Sequence, residues 1–181
     1  PCMQAPPAFC QQLLDALPRV RRYARSLSYD ASHADDLVQS VMERALSHWH
    51  QFDQQRNVLV WLLSIAHNAH LDHLRRDHRL SLLEPEHLSD LQDANASHGA
   101  SDPGLRMDLL AALERLTAEH REVLLLVGVE QLSYAECAQV LQVPTGTVMS
   151  RLSRARTAMR AALDGQPKAG AHANPALRRV V

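Results

Sequence analysis

Several features that define large functional classes are absent from this chain of 181 residues. No apolar run approaches the length that spans a membrane, and the N-terminus lacks the basic segment and apolar block of a secretory signal, so we expect a protein that is not exported. There is no strand pattern, glycine-rich phosphate loop or internal repeat. No nucleophile–base pair or carboxylate constellation stands out, which argues against an enzyme and predicts no cofactor and no small-molecule substrate.

Cysteine is scarce and charge is nearly balanced. Cys2, Cys10 and Cys137 lack ligand-like spacing, so we expect reduced thiols in a cytoplasmic protein. The formal net charge of -1 does not by itself indicate nucleic acid binding. The charges are segregated, however: residues 80–104 hold five acids and no lysine or arginine, whereas residues 145–163 hold arginines and no acid. This distribution predicts an acidic tether between folded parts.

Helical periodicity dominates the remaining sequence and predicts an all-α fold. We expect two small helical domains, residues 9–79 and 105–164, joined by a flexible acidic linker at 80–104 and followed by a flexible tail at 165–181. The spacing places many apolar residues toward the core. Among those expected to face inward are Leu14, Leu46, Leu74, Leu109, Leu110 and Ala135.

Capping residues predict where several helices begin. Ser32 followed by Asp35, and Ser133 followed by Glu136, have the spacing of a capping box. Asn57 and Thr117 are also residue types that cap a helix N-terminus. These positions divide the periodic segments into the individual helices of the two predicted domains.

The C-terminal part has the pattern of a helix-turn-helix. A short helix from Ser133 breaks at Gln142 to Pro144, and a second helix starts at Thr145. Small hydroxyl residues at its start suit phosphate contacts, and its arginines suit phosphates or guanine edges, although arginines on a helix are more often a solvated face. The candidate DNA-binding residues are Thr145, Thr147, Ser150, Arg151, Arg154 and Arg156.

Two further features of the N-terminal part have open interpretations. The loop around Trp49 and Phe52 offers aromatic rings that either stack on an unpaired base or anchor the loop to the core. His67, His70 and His73 lie three apart, and such steps drift around a helix, so we expect surface or nucleic-acid-facing imidazoles and no metal site.

The segments DDLVQSVMERAL, NVLVWLLSIAHNAHLDHLRR and LSYAECAQVLQVPTGTVMSRLSRARTAMRAAL, in this order, closely resemble a bacterial RNA polymerase sigma factor of the extracytoplasmic-function group. The resemblance runs from about Phe9 to Leu163. It implies a reduced sigma factor with two helical domains, whose partners are core RNA polymerase, promoter DNA and an anti-sigma factor that is often membrane-anchored. The rival interpretation is a conventional helix-turn-helix regulator with an N-terminal sensing or dimerising module.

The resemblance also assigns residues to each partner. It implies that the C-terminal helix-turn-helix reads the −35 element through the residues named above. The residues implied to bind core polymerase are Asp35, Asp36, Gln39, Glu43 and Arg44. The residues implied to open and read the −10 element are Phe52, Asp53, Asn57, Trp61, Asn68, Arg75 and Arg76.

The sequence departs from the family pattern at a few positions. Met149 stands where many relatives carry lysine or arginine. Ser40 and Met42 fall in a segment that in the family often reads as glutamate or aspartate followed by an aromatic residue, so the affinity for polymerase does not transfer. His67 and His70 are unusual in the helix that melts DNA. The exact base preference therefore does not transfer from the family.

Overall fold

The structure is a computed structural model that describes residues 5–27, 31–83 and 103–164. All regular elements in these ranges are helical, which confirms the all-α prediction. Within the same ranges, no helix is both long enough and apolar enough to cross a membrane. The α-helices are α1 (Pro7–Leu27), α2 (Ala31–Ser47), α3 (Val58–Leu83), α4 (Pro103–Glu114), α5 (Ala118–Leu124), α6 (Tyr134–Leu141) and α7 (Thr145–Asp164).

Helix α1 contributes one apolar stripe to the core of the N-terminal domain. Its buried residues recur every three or four positions, as on one face of a helix. The expectation for Leu14 was wrong, since this side chain is 61% exposed. It lies about 100° around the helix from Leu13, which is buried. The helix passes through Pro18, an exposed position where water can satisfy the carbonyl group that proline leaves unpaired.

Helix α2 packs beside α1 and α3 through a stripe that includes Val38 and Val41. Leu46 was expected on this stripe but is 46% exposed on the outer side. The helix begins at Ala31, so Ser32 lies in its first turn and not at the predicted cap. Helix boundaries read from sequence commonly shift by a residue or two in this way.

The loop after α2 forms a short 3₁₀ turn, Trp49–Gln51, before α3. Asn57 caps α3 as predicted, because its Oδ1 accepts a hydrogen bond from the backbone N–H of Leu59 at 3.0 Å. The expectation that Leu74 faces the core was wrong, since this side chain is 47% exposed.

The C-terminal domain contains α4 to α7, and two of its predicted caps are confirmed. The Thr117 hydroxyl accepts a hydrogen bond from the N–H of His120 at 3.3 Å. Ser133 and Glu136 form the complete capping box, with reciprocal bonds of 3.2 and 2.8 Å. After α5 the chain continues through a π-helical turn, Leu125–Val129.

The turn between α6 and α7 gives the helix-turn-helix its shape. Gln142 adopts the left-handed conformation, with φ 53° and ψ 41°, and its backbone N–H bonds to the carbonyl of Ala138. This conformation ends α6 and redirects the chain to Pro144, after which α7 begins. The predicted second helix is therefore confirmed.

The inward face of α4 and α6 differs from the predicted one. Leu109 is 45% exposed and Leu110 is 42% exposed, whereas Ala112 is fully buried. Ala135 on α6 is exposed, and Cys137 is buried in its place. These expectations were wrong because a short apolar helix satisfies more than one helical register, and neighbouring helices decide which register is buried.

The predicted linker and tail fall largely outside the described residues. Where the described ranges reach into the linker, α3 continues to Leu83 and α4 begins at Pro103. The tail at 165–181 follows α7 and also lies outside them.

The two domains pack directly against each other. Helix α3 lies against α6, and α1 lies against α5 and the π-helical turn. Buried apolar residues from both domains belong to one continuous cluster. The sequence predicted two domains on a tether, whereas the structure adds a shared interface.

Candidate nucleic-acid interface

The outward face of α7 carries the most exposed part of the predicted DNA-binding set. Thr145, Arg154 and Arg156 are exposed, whereas Thr147 and Ser150 are half-buried. The Ser150 hydroxyl donates a hydrogen bond to the carbonyl of Thr147 at 3.0 Å. The exposed Thr145 lies at the N-terminus of α7, where the positive end of the helix suits a phosphate.

The candidate set chosen from the sequence leaves out three residues on this same face. Met149 is 53% exposed, and Ser153 and Arg160 are exposed. Together with Tyr134 they border a shallow, open depression between the start of α6 and α7. Counting steps of three and four residues from Thr145 would have found them, because those steps follow one helical face.

Arg151 is the member of the predicted set that the structure places differently. Its Nη2 lies 3.3 Å from Oε1 of Glu119 on α5. The Arg151 side chain is only 24% exposed, whereas Glu119 is 64% exposed. The guanidinium is thus oriented by the neighbouring helix, and part of its charge is already balanced.

Of the aromatic residues of the predicted −10 set, Phe52 is buried in the core and Trp61 is half-buried against it. Phe52 is 8% exposed, and its ring lies 5.1 Å from that of Trp61 and 5.6 Å from that of Phe9, centroid to centroid. Phe52 therefore cannot stack on an unpaired base in this conformation, which corrects its implied role in reading the −10 element. Apolar burial favours the alternative in which the aromatic rings anchor the loop.

Two polar members of the −10 set contact the helix-turn-helix at the edge of the interface between the domains. The amide of Gln142 donates to Oδ1 of Asn68 at 3.1 Å, and the amide of Asn57 lies 3.5 Å from Oε1 of Glu136. The sequence placed these asparagines on a DNA-facing surface of α3. In the structure, α6 and the turn after it occupy part of that surface.

The remaining −10 residues are exposed. Asp53 accepts a hydrogen bond from the backbone N–H of Gln55 at 3.0 Å, which orders the loop before α3. Arg75 lies 3.5 Å from Asp72, and Arg76 is exposed next to it. Both arginines are open to solvent in the C-terminal part of α3, beyond the area that α6 covers.

The residues predicted to bind polymerase share the outer side of α2. All of them are exposed, and Gln39 donates a hydrogen bond to Glu43 at 2.9 Å. Asp35 lies 3.7 Å from Arg21 of α1. Leu46, which follows Glu43 by three residues, adds an apolar group to this face. The face consists of Asp35, Asp36, Gln39, Glu43, Arg44 and Leu46.

A buried polar cluster joins the two domains, and the sequence did not reveal it. Glu122 of α5 accepts hydrogen bonds from the Tyr23 hydroxyl and, at 2.7 Å, from Nδ1 of His67. His67 is 7% exposed, so the prediction of a surface imidazole was wrong. Burial raises the pKa of the Tyr23 hydroxyl well above its usual value, and the Glu122 charge raises it further.

A second ionic contact between the domains surrounds Glu130, which is only 2% exposed. Its carboxylate accepts hydrogen bonds from Nε of Arg19 at 2.8 Å and Nε of Arg22 at 2.7 Å. Nη2 of Arg22 adds a bond of 3.0 Å, and Arg19 also donates to the Glu130 backbone carbonyl. The hydrogen bond to Glu130 raises the pKa of the Arg22 guanidinium.

The other histidines do not form a metal centre in the described residues. The rings of His33 and His73 lie 3.8 Å apart, centroid to centroid, and Nδ1 of His70 is buried without a hydrogen-bond partner among the described residues. Within the part of the chain that the structure describes, no group of three or more potential ligands is placed to hold a metal ion.

Comparison with known proteins decides the family. Residues 13–80 match the family described as sigma-70 region 2, and residues 106–159 match the family described as sigma-70, region 4. The ECF RNA polymerase sigma factor EcfG of Rhodopseudomonas palustris (strain TIE-1) is 36% identical over 159 residues, which cover 83% of this chain and 82% of EcfG. The chain belongs to the extracytoplasmic-function group of the sigma-70 family.

A second relative and a solved structure agree with this membership. The ECF sigma factor SigC of Mycobacterium tuberculosis (strain CDC 1551 / Oshkosh) is 37% identical over 152 residues, covering 82% of this chain and 78% of SigC. The co-crystal structure of the sigma factor RpoE with the anti-sigma factor NepR from Bartonella quintana matches with a TM-score of 0.76 and 31% identity. The match covers 88% of this sigma factor and 98% of the RpoE chain, so it includes both domains.

Membership in this family assigns each of the surfaces described above to region 2 or to region 4. The region 2 match includes nearly all of α1 to α3, and the region 4 match includes nearly all of α4 to α7. In this sigma factor, the polymerase-facing and −10 sets therefore fall in region 2, and the −35 set falls in region 4.

Proposed function

We propose that this chain binds core RNA polymerase and directs it to specific promoters, without covalent chemistry of its own. One observation carries the proposal: region 2 and region 4 occur in the same chain in this order, each with an exposed polar face. A conventional helix-turn-helix regulator would need the helix-turn-helix but not region 2.

The outer face of α2 is the proposed contact with polymerase. Asp36, Gln39 and Glu43 give it polar and acidic character, and Leu46 supplies an apolar group that contact would remove from water. This combination resembles a protein–protein interface, where an apolar centre lies inside a polar rim.

Region 2 is also proposed to open and hold the −10 element. Asn57 and Asn68 offer amide groups to a base edge, and Arg75 and Arg76 offer positive charge to the displaced strand. Unstacking a base costs a few kcal/mol, and binding of the whole holoenzyme offsets that cost. The proposed domain limits, 9–79 and 105–164, keep these residues in one unit and the −35 residues in the other.

Region 4 is proposed to read the −35 element as duplex. The N-terminus of α7 and its hydroxyl groups position the helix on phosphates, and Arg154 and Arg156 extend toward the groove. Met149 adds an exposed apolar group on the same face, which fits the methyl group of thymine.

The proposal includes control by an anti-sigma factor. RpoE of Bartonella quintana, which shares this fold over both domains, was crystallised with its anti-sigma factor NepR. We therefore propose a protein partner of the same class here, and activity in the cytoplasm, where polymerase transcribes. An environmental or envelope stress would release this sigma factor from the partner.

Reconstituted transcription tests the proposal. Purified chain is mixed with core polymerase and genomic DNA of the source organism, and the 5′ ends of the transcripts are sequenced. We expect new start sites that share two upstream sequence blocks and that core polymerase alone does not produce. A variant with Asp36→Lys and Glu43→Lys is the control, because it alters the α2 face and leaves α7 intact. Absence of new start sites, although the chain is folded, would overturn the proposal.

A further inference from the structure

The interface between the domains includes part of a surface that the proposed function needs. Gln142, in the turn of the helix-turn-helix, bonds to Asn68, and Glu136 of α6 lies beside Asn57. Helix α6 packs along α3 at this place. The amides proposed to meet the −10 strand therefore contact the chain's own region 4.

We infer that this chain holds itself in a closed form, in which region 4 occupies the part of the −10 surface around Asn57 and Asn68, and Glu122 and Glu130 act as the latch. This inference rests on the proposed function for its consequence, since closure matters only if α3 binds DNA. The closed arrangement itself is a property of the free chain and can be measured without polymerase.

The latch consists of two acids of the C-terminal domain, Glu122 and Glu130, whose carboxylates bind polar side chains of the N-terminal domain. Glu130 is almost completely buried, and its carboxylate bonds are to Arg19 and Arg22 of α1. Glu122 lies between Tyr23 of α1 and His67 of α3. Glu130 is 2% exposed, whereas Arg19 and Arg22 are 40% and 51% exposed, so only the carboxylate is removed from water. A buried carboxylate without its arginines would be an unpaired charge, so the contact favours this arrangement of the two domains.

The same chemistry makes the latch reversible. The desolvation of the Glu130 carboxylate offsets much of its attraction to the two partly exposed arginines, so the contact adds little net stability. When the domains separate, water solvates Glu122, Glu130 and the two arginines again. Polymerase or promoter DNA can therefore open the chain by binding the open form more tightly, which shifts the population.

The distance between the two promoter elements requires the two domains of the chain to separate. The −35 and −10 elements lie about 25 base pairs apart, which is roughly 85 Å of duplex at about 3.4 Å per base pair. A compact chain of this length has a radius of gyration of about 16 Å. The closed form cannot place α3 and α7 on both elements at once. The residues at 84–102, if extended, span roughly 65 Å, which allows the domains to separate.

Small-angle X-ray scattering of the free, full-length chain tests closure. We expect the wild type to be compact and Glu130→Gln to have a radius of gyration larger by several ångströms. Arg22→Gln changes the α1 side of the same contact and should also increase the radius of gyration by several ångströms. Arg22 is 51% exposed, so its loss leaves no cavity in either domain. Arg25→Gln is the matched control, because Arg25 is exposed on the same helix and the change in charge is equal.

A double variant identifies the contact as the cause. If Glu130 and Arg22 act through each other, Glu130→Gln with Arg22→Gln should be no more open than the more open single variant. Circular dichroism should show unchanged helix content in all variants. Additive expansion in the double variant would mean that the two residues act independently and would overturn the latch.

The reactivity of the Cys137 thiol gives a second measurement of how closed the interface between the domains is. It is fully buried in α6, and burial with the nearby Glu122 charge raises the pKa of its thiol to about 12. Modification by N-ethylmaleimide, followed by mass spectrometry with Cys10 as the internal reference, should be faster in Glu130→Gln than in wild type. Equal rates together with equal scattering would overturn the inference.

The outcomes separate this inference from the proposed function. If the variants open the chain but no protein initiates transcription with core polymerase, the proposed function fails and the latch stands. If transcription is normal and the free wild type is as expanded as Glu130→Gln, the latch fails and the proposed function stands.

Discussion

Arg151 of α7 is held by Glu119 of α5, with Nη2 and Oε1 separated by 3.3 Å. Arg154, three residues further along the same helix, is exposed. The two arginines therefore differ in how much positive charge they offer to DNA, although the sequence placed both in the same DNA-binding set. An exposed ion pair has a small net energy, so Glu119 orients Arg151 more than it stabilises the fold.

Arg154→Ala should reduce transcription from a −35-dependent promoter by about tenfold, because a direct contact to a base or phosphate is worth roughly 1–3 kcal/mol. Arg151→Ala should reduce it less, since Glu119 already balances part of the Arg151 charge. Run-off transcription with core polymerase measures both effects. Gel filtration should show unchanged core binding, and loss of core binding in either variant would contradict the assignment of these residues to DNA.

Glu119→Gln should strengthen binding to duplex −35 DNA, because it frees the Arg151 guanidinium to meet a phosphate. The slope of log affinity against log salt should become steeper by about one unit, as expected for one added phosphate contact. Fluorescence anisotropy of holoenzyme on a −35 duplex at several salt concentrations measures the slope. Glu114→Gln is the control, since Glu114 is an exposed acid at the end of α4. An equal slope in wild type and Glu119→Gln would refute the role given to this pair.

Leu46→Asp should weaken binding to core polymerase by about tenfold, because burying a leucine contributes roughly 1.5–3 kcal/mol. Leu14→Asp makes the same chemical change at a leucine that is 61% exposed on α1, and it should leave core affinity unchanged. Both side chains are exposed, so neither change should unfold the domain. Titration of fluorescently labelled chain with core polymerase measures the affinity. Equal losses in the two variants would remove Leu46 from the polymerase-binding face.

Acidification should destabilise the folded chain through His70. Burial is the main cause that lowers the pKa of His70 below 6.5, and the nearby His33, His67 and His73 add to it, while Glu122 opposes it. Below about pH 6.5 the unfolded chain therefore takes up a proton that the folded chain resists, so stability falls as pH falls.

His70→Leu should lose less stability than wild type between about pH 7.5 and about pH 5.5, as measured by the urea midpoint at each pH. His50→Leu changes an exposed histidine and should behave like wild type. An unchanged pH dependence in His70→Leu would show that other groups are responsible.

Ser133→Ala should destabilise the C-terminal domain by about 1 kcal/mol, because it removes the hydrogen bond that caps α6. The backbone N–H of Ser133 would still bond to Glu136, an interaction that is the main cause of the lowered pKa of this carboxyl. Urea unfolding followed by circular dichroism measures the loss. Ser153→Ala, at an exposed position inside α7, should cost nothing, because alanine is the better helix former. Equal stability of Ser133→Ala and wild type would argue against the cap.

The sequence by itself determined the features that depend on neighbouring residues. Asn57, Thr117 and the Ser133–Glu136 pair marked helix starts correctly, because a cap involves atoms only two or three residues apart. The order of the helices and the resemblance to the family were also readable, since both follow from residues in sequence.

Only the tertiary structure decided which side of each helix is buried and what the two domains do to each other. Leu14 and Leu46 looked like core residues but face solvent, because packing of neighbouring helices selects one of several apolar registers. The contact of Glu130 with Arg22 joins residues 108 positions apart, and His67 meets Glu122 across 55. No local pattern encodes such pairs, since they exist only once the chain has folded and water has left the interface.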